Sequence, residues 1–90
     1  MSEPKFPLGT TVITANAATV LAQRDIVTGL TRHVTGDWGD LDADDRQEND
    51  RALKVGCRLL SAYRSACGIR FWIITEHDRS CTTVLLPEDY

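Results

Sequence analysis

Arg58 to Pro87 reads RLLSAYRSACGIRFWIITEHDRSCTTVLLP, and its alternation decides the fold. Three runs rich in β-branched and aromatic residues stand out: Arg58–Ser65 (RLLSAYRS), Ile69–Glu76 (IRFWIITE) and Cys81–Pro87 (CTTVLLP). Only ACG and HDRS separate them, and connections that short force an antiparallel meander. In the middle run Phe71, Trp72, Ile73 and Ile74 are consecutive, so they point to both faces of the sheet and predict a central strand buried on both sides.

Upstream the period changes. Leu8–Thr14 (LGTTVIT) reads as a first strand and Ala15–Ala22 (ANAATVLA) as a short helix. From Arg24 to Val34, the apolar residues Ile26, Val27, Leu30 and Val34 recur at helical spacing, and Gly36 supplies a stop. A third helix is predicted from Ala43 to Val55, with Asp42 as N-cap, Asp44 and Asp45 in the first turn, and Gly56 closing it. Its apolar face is limited to Ala52, Leu53 and Val55, so its first half must stand in water. The expected fold is α+β, ordered β-α-α-α-β-β-β, with two to three N-terminal helices on one face of a mostly antiparallel sheet. Covering the second face from so short a chain is difficult, which points to a partner or a second copy of the chain.

Ninety residues provide for one domain, assigned to 8–90, behind a flexible tail at 1–7 in which Pro4 and Pro7 bracket a short extended piece. The hydrophobic content of 42% and charged content of 26% are those of a folding chain. No apolar run approaches the length of a membrane span, and MSEPKFP lacks a signal core, so a cytoplasmic location without membrane partners is expected. Cys57, Cys67 and Cys81 match neither zinc nor redox spacing and read as buried or half-buried thiols.

Charge is distributed unevenly. Within GDWGDLDADDRQEND (Gly36–Asp50), the seven acids Asp37, Asp40, Asp42, Asp44, Asp45, Glu48 and Asp50 face one base, Arg46. The stretch carries −6 and the remainder +3. A calcium loop beginning at Asp40 fails, because the sixth position is Asp45 where glycine is needed and the twelfth is Arg51 where a bidentate glutamate is needed. The remaining readings are a carboxylate surface that mimics phosphate for a basic partner, or helical ion pairs Asp42–Arg46, Glu48–Arg51 and Asp50–Lys54 on a solvated face. Trp38 either plugs the core beneath its loop or anchors a partner. Asp37 and Asp40 beside it suit backbone donors in a turn.

The segment TEHDRS (Thr75–Ser80) is where a reaction would be sought. Glu76 as base, His77 as acid and Arg79 as phosphate clamp would cleave RNA through its own 2′-hydroxyl, in the outline of RelE or barnase-like ribonuclease toxins. Arg58, Arg64 and Arg70 would hold the backbone, with Tyr63 and Trp72 for stacking. Against this, a hairpin turn in which Asp78 and Ser80 bond the backbone needs the same residues, and an isoelectric point of 5.2 argues against direct nucleic-acid binding. Arg32 and His33 close the second helix, where positive charge complements its dipole. No nucleophile, metal cluster or Gly-rich cofactor loop is visible, so no catalytic residue, metal or cofactor is assigned.

RHVTGDWGD (Arg32–Asp40), NDRALKVG (Asn49–Gly56), RLLSAY (Arg58–Tyr63) and FWIITEHDRSCTTVLLPEDY (Phe71–Tyr90) together resemble a family of small bacterial proteins of plasmids, genomic islands and prophage-like elements. Its members carry labels such as plasmid-related protein and type I restriction endonuclease subunit M. The likeness runs from Leu8 to the end, although His77 and Cys81 stand where the pattern has small residues. A methyltransferase subunit needs a far longer cofactor domain, so the second label fits gene neighbourhood rather than chemistry. The resemblance brings no activity with it, but its mobile-element setting and the acidic stretch together lead to the expectation of a non-enzymatic accessory or inhibitor protein, in its most concrete form one that counters a restriction or CRISPR nuclease. The partner surface expected for it comprises Asp37, Trp38, Asp40, Asp44, Asp45 and Glu48. The alternatives are the ribonuclease toxin and a structural homodimer.

Overall fold

The computed structural model describes residues 3–90. The three C-terminal runs form β2 (Leu59–Arg64), β3 (Arg70–Thr75) and β4 (Cys81–Leu85), joined as an antiparallel meander with Leu59 opposite Thr75 and Ile73 opposite Val84. The first strand, β1 (Thr10–Ile13), adds to the far side of β4 in parallel, Thr10 beside Cys81, and the sheet order is β1-β4-β3-β2. Between β1 and β2 come α1 (Ala15–Val20), α2 (Gln23–Val34) and α3 (Ala43–Val55), giving the expected α+β order. A 3-10 turn at Pro87–Asp89 follows β4.

Strand alternation sorts the core. Leu59, Ser61 and Tyr63 of β2, Phe71, Ile73 and Thr75 of β3, and Thr82 and Val84 of β4 are buried on one face. Helix α1 covers it with Ala17 and α2 with Ile26, Gly29 and His33. Gly29 permits the close approach of α2, because a Cβ there would lie 2.9 Å from the Phe71 ring. A second cluster of Phe6, Trp38, Ala52 and Leu59 lies beneath α3.

Local signals set the helix ends. The Thr14 hydroxyl caps α1 by accepting from Ala17 N at 3.2 Å, and it donates to Asp89 Oδ2 at 2.7 Å, tying the carboxyl end of the chain to the first helix. Asp42 caps α3 by accepting from Asp45 N at 2.8 Å, and Gly56, at φ 79°, closes it.

Lys5 and Phe6 differ from the flexible tail expected at 1–7. Met1 and Ser2 lie outside the described residues, but Phe6 is buried between Trp38 and His33, and Lys5 N donates to Val34 O at 2.8 Å. An aromatic ring that fills a core position outweighs the two flanking prolines, so Lys5 and Phe6 belong to the domain. The second sheet face is partly covered from within the chain. Ile74 and Leu85 are buried there, Trp72 is half-buried, and the Tyr90 ring packs against Trp72 at 5.7 Å.

The outer edge of β2 is closed without a further strand. At Ala62 the loop before α3 pairs with it: Ala62 N donates to Trp38 O at 3.2 Å, and Asp40 N donates to Ala62 O at 2.8 Å. At Leu60 the buried Asn49 side chain of α3 takes over, its amide nitrogen donating to Leu60 O while its oxygen accepts from Leu60 N at 3.2 Å. A primary amide matches a peptide group donor for acceptor, so Asn49 serves as one residue of a missing strand. Asn49→Ala is expected to leave both Leu60 groups without partners and to cost about 2 kcal/mol in urea unfolding. An unchanged midpoint would contradict this role.

Candidate functional site

The acidic stretch divides into a loop and a helix with different duties. In the loop, Arg32 Nε lies 2.7 Å from Asp37 Oδ2, and Asp37 Oδ1 accepts from Gly39 N at 3.2 Å. The Arg32 hydrogen bond holds the Asp37 carboxyl below the usual carboxylate range. Tyr63 donates its hydroxyl to Asp37 O at 2.5 Å, under an Arg32 guanidinium 4.7 Å from the ring centre, and burial pushes its phenol up. Gly39 bridges to Ala62 at φ 77°, and a Cβ on it would lie 2.0 Å from Ala62 O, so only glycine lets the loop lie against β2. Asp40 reaches Arg64 at 3.7 Å.

Trp38 is the plug of this loop, 3% exposed, with its indole Nε1 donating to Asp50 Oδ1 at 2.9 Å. It stacks on Phe6 and meets His33 edge-on, with ring centres 6.3 and 5.8 Å away. Of the expected partner surface, Asp37 and Trp38 are therefore committed to holding the fold, while Asp40 gives its backbone N–H to Ala62 O and keeps an exposed carboxylate beside Arg64. Trp38 in particular is withdrawn from any docking role, because its ring is sealed by Phe6 and its N–H is already paired.

Helix α3 leaves three carboxylates outward. Asp42 caps the helix and Asp50 takes the indole, so the expected Asp42–Arg46 and Asp50–Lys54 ion pairs are absent among the described residues. Glu48 and Arg51 approach only to 3.9 Å with both side chains in solvent, a pairing worth a few tenths of a kcal/mol at most. Asp44 and Asp45 are exposed, and Asp44, Gln47, Glu48 and Arg51 border one shallow depression. The helix itself is fixed by Asn49 on β2, by Ala52 in the core, and by Arg79 at its carboxyl end.

That last contact decides how TEHDRS is read. Arg79 sits in the left-handed region at φ 59°. Its guanidinium donates to Cys57 O at 2.6 Å, Glu76 O at 3.1 Å and Ala52 O at 3.2 Å. It thus pins the chain just past the end of α3, pairing the Cys57 carbonyl and adding a third donor to Ala52 O, which already accepts from Gly56 N and Cys57 N, and this structural role takes the place of the phosphate clamp offered as the alternative reading. Asp78 Oδ1 accepts from Ser80 N at 3.1 Å and Ser80 Oγ at 2.6 Å, bonds that lower its pKa and form the hairpin turn. Glu76 is half-buried and His77 exposed at the same turn. Tyr63 faces the helices, so it cannot stack a base beside Trp72 on the other face. Cys57 and Cys67 are exposed, not buried as expected, because one follows the α3 stop and the other lies in the β2–β3 turn.

Beneath the loop runs a buried polar chain that the sequence did not announce. His33 Nδ1 meets Ser61 Oγ at 2.5 Å, His33 Nε2 meets Thr75 Oγ1 at 2.9 Å, Thr75 and Thr82 hydroxyls lie 2.8 Å apart, and Thr82 donates to Leu8 O at 2.7 Å. Leu8 O can only accept, so Thr82 spends its proton there and accepts from Thr75. Thr75 then accepts from Nε2–H, and Nδ1 accepts from Ser61. The chain fixes one neutral tautomer of His33. The available signal was positional, since His33 falls on the same α2 stripe as Ile26 and Gly29. Asn49 was similarly marked by being a poor helix former in mid-helix.

Among the described residues no group of three or more His, Cys, Asp or Glu side chains converges as a metal site, and no helix is long and apolar enough to cross a membrane. Comparison with family models, with curated proteins and with solved structures finds no match.

Burial, with a smaller contribution from Arg79, lowers the His33 pKa to about 4. The unfolded chain titrates near 6.5, so between about 6.5 and 4 it binds more protons than the folded one, and stability falls as pH drops. The full loss is on the order of 3 kcal/mol once pH lies below both values. An NMR titration is expected to show the His33 ring still neutral at pH 5, with the urea midpoint falling from pH 7 to pH 4.5. Protonation near pH 6.5 without loss of structure would contradict the buried chain.

Proposed function

We propose that the protein is a non-enzymatic binding module that presents Asp44, Asp45 and Glu48 of α3 as a fixed acidic surface to a basic protein. The supporting observation is their outward position on a helix held at its middle and its carboxyl end. Acids committed to the fold have close partners: Asp37 has Arg32, Asp42 has the α3 backbone, and Asp50 has the Trp38 indole. These three do not. Carboxylates on an immobile helix lose little freedom on docking and steer a cationic partner, so the surface favours rapid and salt-sensitive association.

The partner that fits best is a nucleic-acid-binding protein, whose phosphate-binding groove would accept spaced carboxylates. Together with the resemblance to proteins of mobile elements, this supports an accessory or inhibitor that counters a host restriction or CRISPR nuclease in the cytoplasm. The ribonuclease reading loses its clamp, since Arg79 is occupied by α3 and the turn.

Asp44→Lys/Asp45→Lys/Glu48→Lys changes no buried contact but reverses two first-turn charges at the amino end of α3, so the variant should stay folded with a stability loss on the order of 1–2 kcal/mol. Affinity capture from the native host, read by mass spectrometry, should lose a basic partner in this variant. Equal capture by both proteins would remove the surface assignment.

A further inference from the structure

The sheet face turned away from the helices collects arginines and aromatic rings. Arg64 and Arg70 stand directly opposite one another across β2 and β3. Like charges in that register destabilise an isolated pair of strands. One carboxylate answers them, Asp40, at 3.7 Å from Arg64 and well exposed, and among the described residues Arg70 has no salt bridge. On the same face, two residues along β3, Trp72 is half-buried beside Tyr90, which is 69% exposed. Arg58 lies 5.3 Å over the Tyr90 ring and donates to its hydroxyl at 3.1 Å. A cavity of about 130 Å³ opens between Asp40, Ala62, Tyr63, Arg70 and Trp72.

We propose that this face binds a single-stranded nucleic acid. A base enters the cavity against Trp72 with an amino edge toward the Asp40 carboxylate, the next base stacks on Tyr90, and Arg58, Arg64 and Arg70 hold the phosphates. The site suits an anion with flat, apolar faces, because one carboxylate answers the Arg64–Arg70 pair, Arg70 has no salt bridge among the described residues, and accessible rings lie beside it. A second copy packed about a two-fold axis centred on this pair would bring two Arg64–Arg70 pairs together, the opposite of what the charge requires. The whole-chain charge of −3 argues against nucleic acid, but folding separates that charge: Asp44, Asp45 and Glu48 go to α3, and the arginines line the open sheet face. This inference is independent of the α3 surface and uses different residues.

Fluorescence anisotropy with labelled twelve-nucleotide single strands, one DNA and one RNA of the same mixed sequence, tests it on the intact chain. Binding of at least one strand is expected, weakening roughly 20-fold between 50 and 200 mM salt if three phosphates are held. Arg64→Ala/Arg70→Ala removes the like-charge pair and should not lower stability, yet should weaken binding about tenfold or more. Trp72→Leu should weaken it comparably, while Asp44→Lys/Asp45→Lys/Glu48→Lys should still bind. No binding at about 100 μM protein in 50 mM salt, the weak end for non-specific association, would overturn the proposal. So would binding unaffected by the arginine variant, or sedimentation showing a dimer that Trp72→Leu dissolves.

Discussion

The constraint on which the rest depends is the outer edge of β2. A sheet edge presents unpaired amides and carbonyls, and a short exposed strand invites another chain to pair with it. Here Ala62 is paired by the loop at Trp38–Asp40 and Leu60 by the Asn49 amide. Closing the edge in this way fixes where the acidic stretch must lie. Gly39 has to press against Ala62, Trp38 then turns inward between Phe6 and His33, and α3 follows with Asn49 aimed at the strand.

The same closure places polar groups in the interior that must satisfy one another. Ser61, His33, Thr75, Thr82 and Leu8 O form a chain in which each hydroxyl and ring nitrogen has a partner, and no buried side-chain donor or acceptor among the described residues is left without one. A chain of fixed direction links α2 to β2, β3 and β4, and to the segment before β1. Apolar packing alone would tolerate small shifts among these elements; matched donors and acceptors do not.

Much of the fold was legible because its signals are local. Alternation marked β2, β3 and β4, the Asp42 cap and Gly56 stop marked α3 to the residue, and the thin apolar face of α3 foretold its wet outer side. The residues misread or left open have partners elsewhere in the chain. Phe6 meets Trp38, Trp38 meets Asp50, and Arg79 meets Ala52 and Cys57, pairings that no periodicity encodes. Trp38 was weighed as plug or anchor, and nothing short of the fold could choose. Arg79 has the chemistry of a phosphate clamp and of a carbonyl clasp alike, and the left-handed backbone at that position delivers it to the carbonyls at the end of α3.

Charge follows the same logic. Acids near the edge are spent on Arg32, on the indole and on the α3 amino end, and what remains outward is a smaller surface than the sequence displays. The most direct test of edge closure is amide hydrogen exchange followed by NMR. The Leu60 and Ala62 amides should exchange as slowly as that of Ile73 in the central strand. Exchange at the rate of exposed loop amides would mean that the β2 edge is open, and the placement of the loop and α3 would fail with it.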